Sequence, residues 1–454
     1  VKVIFADHAL LPDGWAEGVR VIVQDGRLSD IRPGARPEPG DLRVSALLPA
    51  LSNLHSHAFQ RAMAGLTEHR SGGQDSFWTW RQVMYHFLDH LTPDQIEAIA
   101  ALAYLEMMEA GFAAVAEFHY LHHQPGGAAY DDPAELSGRL LAAAGQTGIG
   151  LTHLPVLYTY GGAGCQPLSE QQLRFGCSLD RFAQLMAAVA AQMPALPADA
   201  RLGLAPHSLR ATCPGDLARV IELARGGPVH IHIAEQPREV AEISAWLGAR
   251  PVEWLVDNLP VDAQWCAIHA THMTPTETRA LAATGAVAGL CPITEANLGD
   301  GPFDGPGWLA AGGAFGLGSD SNVRISLTEE LRTLEYSQRL RDLARNVMLT
   351  GEGSVGTALY TGAARGGAQA LGRASGALKV GLWADLMAID TTHPALCALP
   401  ADRLLDGLAF AAPDGVITDV WAAGRHQVRG GRHIARDQII RGWRQTVSAL
   451  KSIV

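Results

Sequence analysis

No apolar run in this 454-residue chain approaches the ~20 positions that a membrane-spanning helix requires, so no bilayer span is expected. Cysteine is scarce. The six residues Cys165, Cys177, Cys213, Cys266, Cys291 and Cys397 are scattered and form no Cys-x-x-Cys pair. So few in so long a chain make no disulfide framework, and a reducing cytoplasm is the expected setting. Basic clusters are missing as well. The formal charge is −11, and nucleic acids and anionic membranes both reward concentrated Lys and Arg, so neither is an expected partner. The opening Val1-Lys2-Val3-Ile4-Phe5-Ala6-Asp7 has no charged leader running into a long apolar segment, so no signal peptide is expected. No internal repeat appears at solenoid or propeller periods.

What is present describes an ordinary globular protein. The apolar fraction is 48% and the charged fraction 18%, enough apolar material for a sizeable core. The length suits about three domains' worth of chain, or one barrel plus a smaller module. Residues 1 to about 48 read as short extended segments (Val1–Ala6, Val21–Asp25, Leu28–Ile31) followed by Pro33-Gly34, Pro37 and Pro39-Gly40. The same texture returns in Gly381–Asp390 and Val416–Trp421. Between these flanks, strand-like runs alternate with helical stretches. The runs are Ala113–His119, Gly150–Leu157, Leu202–Pro206, Val229–Ala234, Trp265–His269, Ala286–Cys291 and Ala314–Gly318. None of them is followed at once by Gly-x-Gly-x-x-Gly, which argues against a dinucleotide site. One helix is predicted from Pro93 to about Ala110, with Thr92 as N-cap, Gln95 closing a capping box and Gly111 past its end. Another is predicted from Leu327 to about Arg345, with Ser326 as cap and Glu329 as its partner. Alternation of this kind predicts a parallel α/β architecture of barrel size, although alternation alone does not separate a barrel from an open sheet.

The chemistry gathers where apolar runs end. Leu54-His55-Ser56-His57 places two imidazoles at i and i+2, on one face of a strand, where both can reach one cation. His230-Ile231-His232-Ile233-Ala234-Glu235 repeats the pattern and sets a carboxylate just beyond it. Ile268-His269 and Gly316-Leu317-Gly318-Ser319-Asp320 end two further runs. Singly, each has a bland reading: turn histidines, a satisfied core histidine, a capping aspartate. Jointly they are what a barrel needs, because every parallel strand delivers its C-terminal end to one face. Imidazole nitrogens with one carboxylate oxygen suit Zn²⁺ and leave a position open for water.

In order and spacing, His55-Ser56-His57, His232, His269 and Asp320 resemble the amidohydrolase superfamily. The resemblance covers essentially the whole chain. It implies a (β/α)8 TIM-type barrel over residues 49–375 and a small composite β-sandwich built from both termini, 1–48 plus 376–454. Binuclear members carry a lysine on the fourth strand. Leu202-Gly203-Leu204-Ala205-Pro206-His207 has none, which points to the mononuclear deaminase branch. The strings Leu54–Met63 and Cys291-Pro292-Ile293-Thr294-Glu295-Ala296-Asn297-Leu298-Gly299-Asp300-Gly301 resemble the formimidoylglutamate deiminases. Generic deaminases tend to carry Ser-Asn where Thr294-Glu295 stands. That resemblance implies hydrolysis of N-formimidoyl-L-glutamate to N-formyl-L-glutamate and ammonia in histidine degradation.

The resemblance further implies one divalent metal per chain, Zn²⁺ or else iron or another divalent ion, on His55, His57, His232 and Asp320. It makes Glu235 a proton shuttle, His269 the group that orients the nucleophile, and Asp320 both ligand and base. It implies a homodimer. A substrate with two carboxylates calls for guanidinium groups. Arg81, in Phe77-Trp78-Thr79-Trp80-Arg81, and Arg210, after His207-Ser208-Leu209, are the expected pair, helped by Gln60, Tyr120 and His207. The bland reading of each arginine is a solvated or stacked side chain. His122 and His123 read as loop residues, His230 as structural, and His86 with His90 as sharing one helix face. The alternative within the class is a deaminase of a purine, pterin or triazine ring, which needs stacking and amide contacts in place of two guanidiniums. A non-catalytic scaffold would be expected to have lost ligands, and none is missing.

Overall fold

The computed structural model describes residues 1–70, 73 and 75–450. Its first strands, β1 (Lys2–Leu11), β2 (Gly14–Gln24) and β3 (Arg27–Arg32), form an antiparallel meander. Asp25 and Gly26 make the second turn with φ of 51° and 78°, the left-handed pair that a tight Asp-Gly hairpin demands. Strand β4 (Leu42–Pro49) lies parallel to β1, a long-range pairing that the segment pattern does not announce.

Strands β5 (Leu51–Ser56), β6 (Phe112–His119), β7 (Gly150–Leu157), β8 (Arg201–Leu202) and β9 (Ala205–Pro206) then run parallel. So do β10 (Val229–Ile233), β11 (Trp265–His269), β12 (Val287–Leu290) and β13 (Ala314–Leu317). The expected strand Leu202–Pro206 is broken in two, yet Thr152 opposes Arg201 and Val156 opposes Ala205, so both halves keep one register on β7. The break falls at Gly203, where a Cβ would stand 2.4 Å from the Pro228 carbonyl. Bridges Leu204↔Val229 and Ser208↔His232 join this strand to β10, and Ser56↔Asp320 joins β13 back to β5. The parallel sheet thereby curls closed into a TIM-type barrel.

After the barrel come β14 (Leu386–Ile389), β15 (Ile417–Ala422), β16 (Arg425–Arg429) and β17 (Arg432–His433). Strand β14 pairs with β4, so both ends of the chain share an eight-stranded sheet in the order β17-β16-β15-β14-β4-β1-β2-β3. That sheet has a core of its own, including Ile4, Val19, Val21, Leu386 and Trp421.

The helix Pro93–Glu109, labelled α2, forms as predicted: Thr92 accepts from the Gln95 N–H, and Gln95 returns the bond to the Thr92 N–H. Helix α1 (Phe77–Leu88) precedes it. His86 lies on α1, but His90 falls beyond its end, so the two do not share a helix face, though their rings touch at 5.2 Å. The helix from Leu327 stops at Asp342 rather than Arg345, because Leu343 turns left-handed at φ 51°. Ser326 caps it as expected, whereas Glu329 is drawn away to Arg324. Cys165 and Cys213 are paired, with Cα atoms 6.1 Å apart, linking the segment after β7 to the segment after β9. They lie 48 residues apart, and spacing does not encode such a connection. Among the described residues no helix is long and apolar enough to cross a membrane.

Candidate active site

Two strands and the segments that follow two strands bring four side chains together. His55 sits on β5, His57 one residue past it, His232 on β10 and Asp320 three residues after β13. One ligand atom from each lies within 4.8 Å of the others, and all four residues are buried. Asp320 Oδ1 is 3.4 Å from His55 Nε2 and 3.3 Å from His57 Nε2. His55 Nε2 and His232 Nε2 face each other at 3.0 Å. Two of the three far nitrogens are anchored: His57 Nδ1 donates to the Phe118 carbonyl at 2.9 Å and His232 Nδ1 to the His207 carbonyl at 3.2 Å. This fixes the tautomer that turns each Nε2 lone pair inward, the arrangement metal-binding histidines share. Burial keeps the rings neutral. It lowers the His55 pKa to about 3 and carries His232 well below its ordinary value. Burial pushes Asp320 up, but its hydrogen bond to His55 and the surrounding imidazoles outweigh this and hold it below the usual carboxylate range. Neutral nitrogens converging with an ionised oxygen are a donor set that fits a divalent cation.

The proton-handling groups stand around this quartet. Glu235 Oε1 is 3.8 Å and Asp320 Oδ2 3.7 Å from His269 Nε2. Burial pulls the His269 pKa down, yet Glu235, Glu295 and Asp320 carry it up to about 10. Burial raises Glu235, against the pull of His269 and Arg210. Ala234, His269 and Asp320 all adopt positive φ, at 50°, 67° and 45°, each at or just past the end of a site strand. Such strain in non-glycine residues persists where the surrounding structure enforces it, and it clusters at functional sites.

A cavity opens above the quartet. Every residue expected from the sequence lines it except His55, which lies beneath its floor: His57, Gln60, Arg81, Tyr120, His207, Arg210, His232, Glu235, His269 and Asp320. Gln60 donates to the Tyr120 hydroxyl at 3.0 Å, and Arg81 donates to the Tyr158 hydroxyl at 2.7 Å. Arg210 stands 3.4 Å from Glu235 and 3.8 Å from Glu239, with its Nε–H buried and without a hydrogen-bond partner among the described residues. Neither guanidinium is spent in a close carboxylate fork, so both keep donors for an anionic ligand. Helix α1 covers the cavity with Phe77, Trp80, Arg81, Met84 and Tyr85.

Some residues escaped the sequence reading. Tyr158 directly follows β7 as Tyr120 follows β6, so a polar residue at a strand end is the signal that could have found it. Glu239 gave no such signal. It accepts from the Ala234 and Glu235 N–H groups and so holds the turn that presents Glu235. His122 and His123 are loop residues, as expected, but buried, each ring bonded to a backbone carbonyl (Val156 and Gly176). His230 bonds the Ala370 carbonyl at 2.8 Å, deeper in the barrel than His232.

Comparison with known proteins follows the same lines. Residues 46–426 match the profile described as the Amidohydrolase family, and residues 1–45 match that of the Formimidoylglutamate deiminase HutF N-terminal domain. A formimidoylglutamate deiminase of Pseudomonas aeruginosa is 50% identical over 99% of this chain and 100% of its own length. A methylthioadenosine/S-adenosylhomocysteine deaminase of Natronomonas pharaonis is 27% identical over 92% of this chain and 89% of its own. The crystal structure of an amidohydrolase from Brucella melitensis superposes with a TM-score of 0.95 at 48% identity, covering 99% of this chain and 100% of that one. An adenosine deaminase from Xanthomonas campestris, solved with bound zinc, shares the fold at a TM-score of 0.82 and 23% identity, covering 99% and 98%.

Proposed function

The chain belongs to the amidohydrolase family, within it to the formimidoylglutamate deiminases, and on that premise we propose how its site works. It is a metal-dependent hydrolase of a C–N bond, converting N-formimidoyl-L-glutamate and water into N-formyl-L-glutamate and ammonia, a step of histidine degradation. The observation that carries the reading is one cavity holding both a His₃Asp quartet and two guanidiniums with donors to spare.

His55, His57, His232 and Asp320 would hold the ion. When bound, it would supply the Lewis acidity that makes water nucleophilic near neutral pH. We propose Zn²⁺, which the nitrogen-rich set favours, although iron and other divalent ions accept the same donors. Arg81 and Arg210 bind the two carboxylates, with Gln60, Tyr120 and His207 completing the pocket. This places the formimidoyl carbon over the quartet. Asp320 takes the proton of the attacking water at Oδ2. Glu235 delivers a proton to the nitrogen that departs as ammonia. His269 directs Nε2–H at the oxygen that becomes the product carbonyl and steadies the charge that builds there.

We further propose that residues 1–48 and 376–454 fold as a β-sandwich beside a barrel of 49–375, which the separate core of the terminal sheet supports. A cytoplasmic homodimer is part of the same reading. In that compartment the Cys165–Cys213 pair would be expected as thiols. Ammonia release tests the function. Metal-replete enzyme should turn over N-formimidoyl-L-glutamate in preference to N-formimidoyl-L-aspartate and leave guanine untouched, and dialysis against a chelator should abolish turnover until metal is restored. Turnover of guanine with N-formimidoyl-L-glutamate inert would overturn it.

A further inference from the structure

We propose that Glu295 is a positioning residue: it holds the His269 ring so that Nε2 faces the reaction centre. The proposal rests on the role given to His269 above. Glu295 lies in the short helix Pro292–Leu298 that follows β12, and it is only 6% exposed. Its Oε1 accepts from the Cys291 N–H at 2.9 Å and from His269 Nδ1 at 3.2 Å. One oxygen is therefore fixed by donors from the ends of two neighbouring strands, β12 and β11.

The geometry shows why His269 needs this. Its ring lies parallel to that of His232, with centroids 5.6 Å apart and planes 11° from each other. Stacking defines the ring plane, but it does not distinguish the ring from its copy turned half a revolution about the Cβ–Cγ bond. That copy would set carbon against Glu295 and withdraw Nε2 from Glu235 and Asp320, which now lie 3.8 and 3.7 Å from it. The bond to Glu295 breaks the tie. A backbone already held at φ 67° adds to the need, since the side chain starts from an unusual direction. Glu295 touches no substrate. It acts through His269, as partners of the groups around metal sites commonly do.

The test is steady-state ammonia release by metal-replete E295A, E295N, E295Q, H269N and H269N/E295A, with metal content and melting temperature recorded for each. An oxygen acceptor at the right reach is what the role requires. Gln keeps it, Asn is one methylene short, and Ala removes it. E295A and E295N should lower kcat by about 10–100-fold with KM within about twofold of wild type, and E295Q should restore most of kcat. In the H269N background, E295A should cost nothing further, since the group it positions is gone. If E295A fails to fold, E295N against E295Q decides. Multiplicative effects of H269N and E295A would overturn the proposal, as would a loss falling on KM or an E295Q as damaged as E295A. Wild-type turnover of N-formimidoyl-L-glutamate in the same assay judges the function separately. Were another amine the substrate, the same ratios would be read on that amine.

Discussion

Arg81 and Arg210 occupy the same cavity under different constraints. Arg81 is half-buried on α1 and donates to a phenol, whereas Arg210 is buried beside Glu235 and Glu239. Charge-assisted hydrogen bonds contribute roughly 1.5–3 kcal/mol each. Replacing Arg81 by Met should therefore lower kcat/KM for N-formimidoyl-L-glutamate by about 10–100-fold, almost wholly through KM, because the carboxylate is gripped equally in ground and transition states. R210M should also reduce kcat, since it leaves His269 alone to oppose the burial of Glu235. Initial rates across substrate concentration separate the two, and an R81M effect confined to kcat would contradict the carboxylate role. At this scale the sequence was legible wherever a polar residue ends an apolar run: His55, His57, His232, His269 and Asp320 all obey that rule. Glu239 was illegible because its acceptors serve backbone N–H groups of its own turn. Cys165 and Cys213 were illegible because nothing in their spacing ties two loops together.

Among the elements, the contact of β5 with β13 gathers three of the four candidate metal ligands, because it sets His55 and His57 against Asp320. Two backbone bonds define it: His57 N–H to the Asp320 carbonyl and Asp320 N–H to the His55 carbonyl, both at 2.9 Å. Gly318 makes the approach feasible, for a Cβ there would lie 2.8–2.9 Å from the His55 Cβ, N and O atoms. Two of those three are backbone atoms and cannot swing aside. G318A should push the strands apart by a few tenths of an ångström. Metal bound per chain after dialysis at limiting zinc should then fall below half of wild type, with activity falling in proportion. Elemental analysis checks this, and full occupancy would show that the strands tolerate the methyl. The start of the helix Pro93–Glu109 was readable to the residue and its end to within one, as both of its capping partners lie within one turn. By contrast, β4 beside β1 depends on residues more than thirty apart, and the strand broken at Gly203 depends on the Pro228 carbonyl, which belongs to another segment.

Across the whole molecule, the terminal sheet is fastened to the barrel by buried charges. Arg373 reaches Asp199 at 2.8 Å and Asp385 at 2.6 Å, and Arg425 reaches Asp199 at 2.7 Å. Asp199 precedes β8 of the barrel, whereas Asp385 and Arg425 lie beside and on strands of the sheet. That the two termini meet was read from family resemblance, and no local pattern links residue 199 to residue 425. Burial raises the Asp199 pKa, but Arg425 and Arg373 outweigh it and bring it down to about 2, from an ordinary 3.8. A carboxyl held lower in the folded state stabilises above its unfolded pKa, and that contribution is lost as pH falls through the folded one. Near neutrality D199N would leave Arg425 without its anion and Arg373 with Asp385 alone, a loss on the order of 3 kcal/mol, the lower end for a broken buried pair because Arg425 is partly exposed. The melting temperature of D199N should thus lie well below wild type at pH 7. The gap should stay constant down to about pH 4 and then close towards pH 2, as wild-type Asp199 takes up its proton. Activity per folded, metal-loaded chain at pH 7 should not change, because the network touches none of the residues around the cavity. A gap that persisted unchanged below pH 3 would mean that the aspartate contributes by shape and hydrogen bonding rather than by charge.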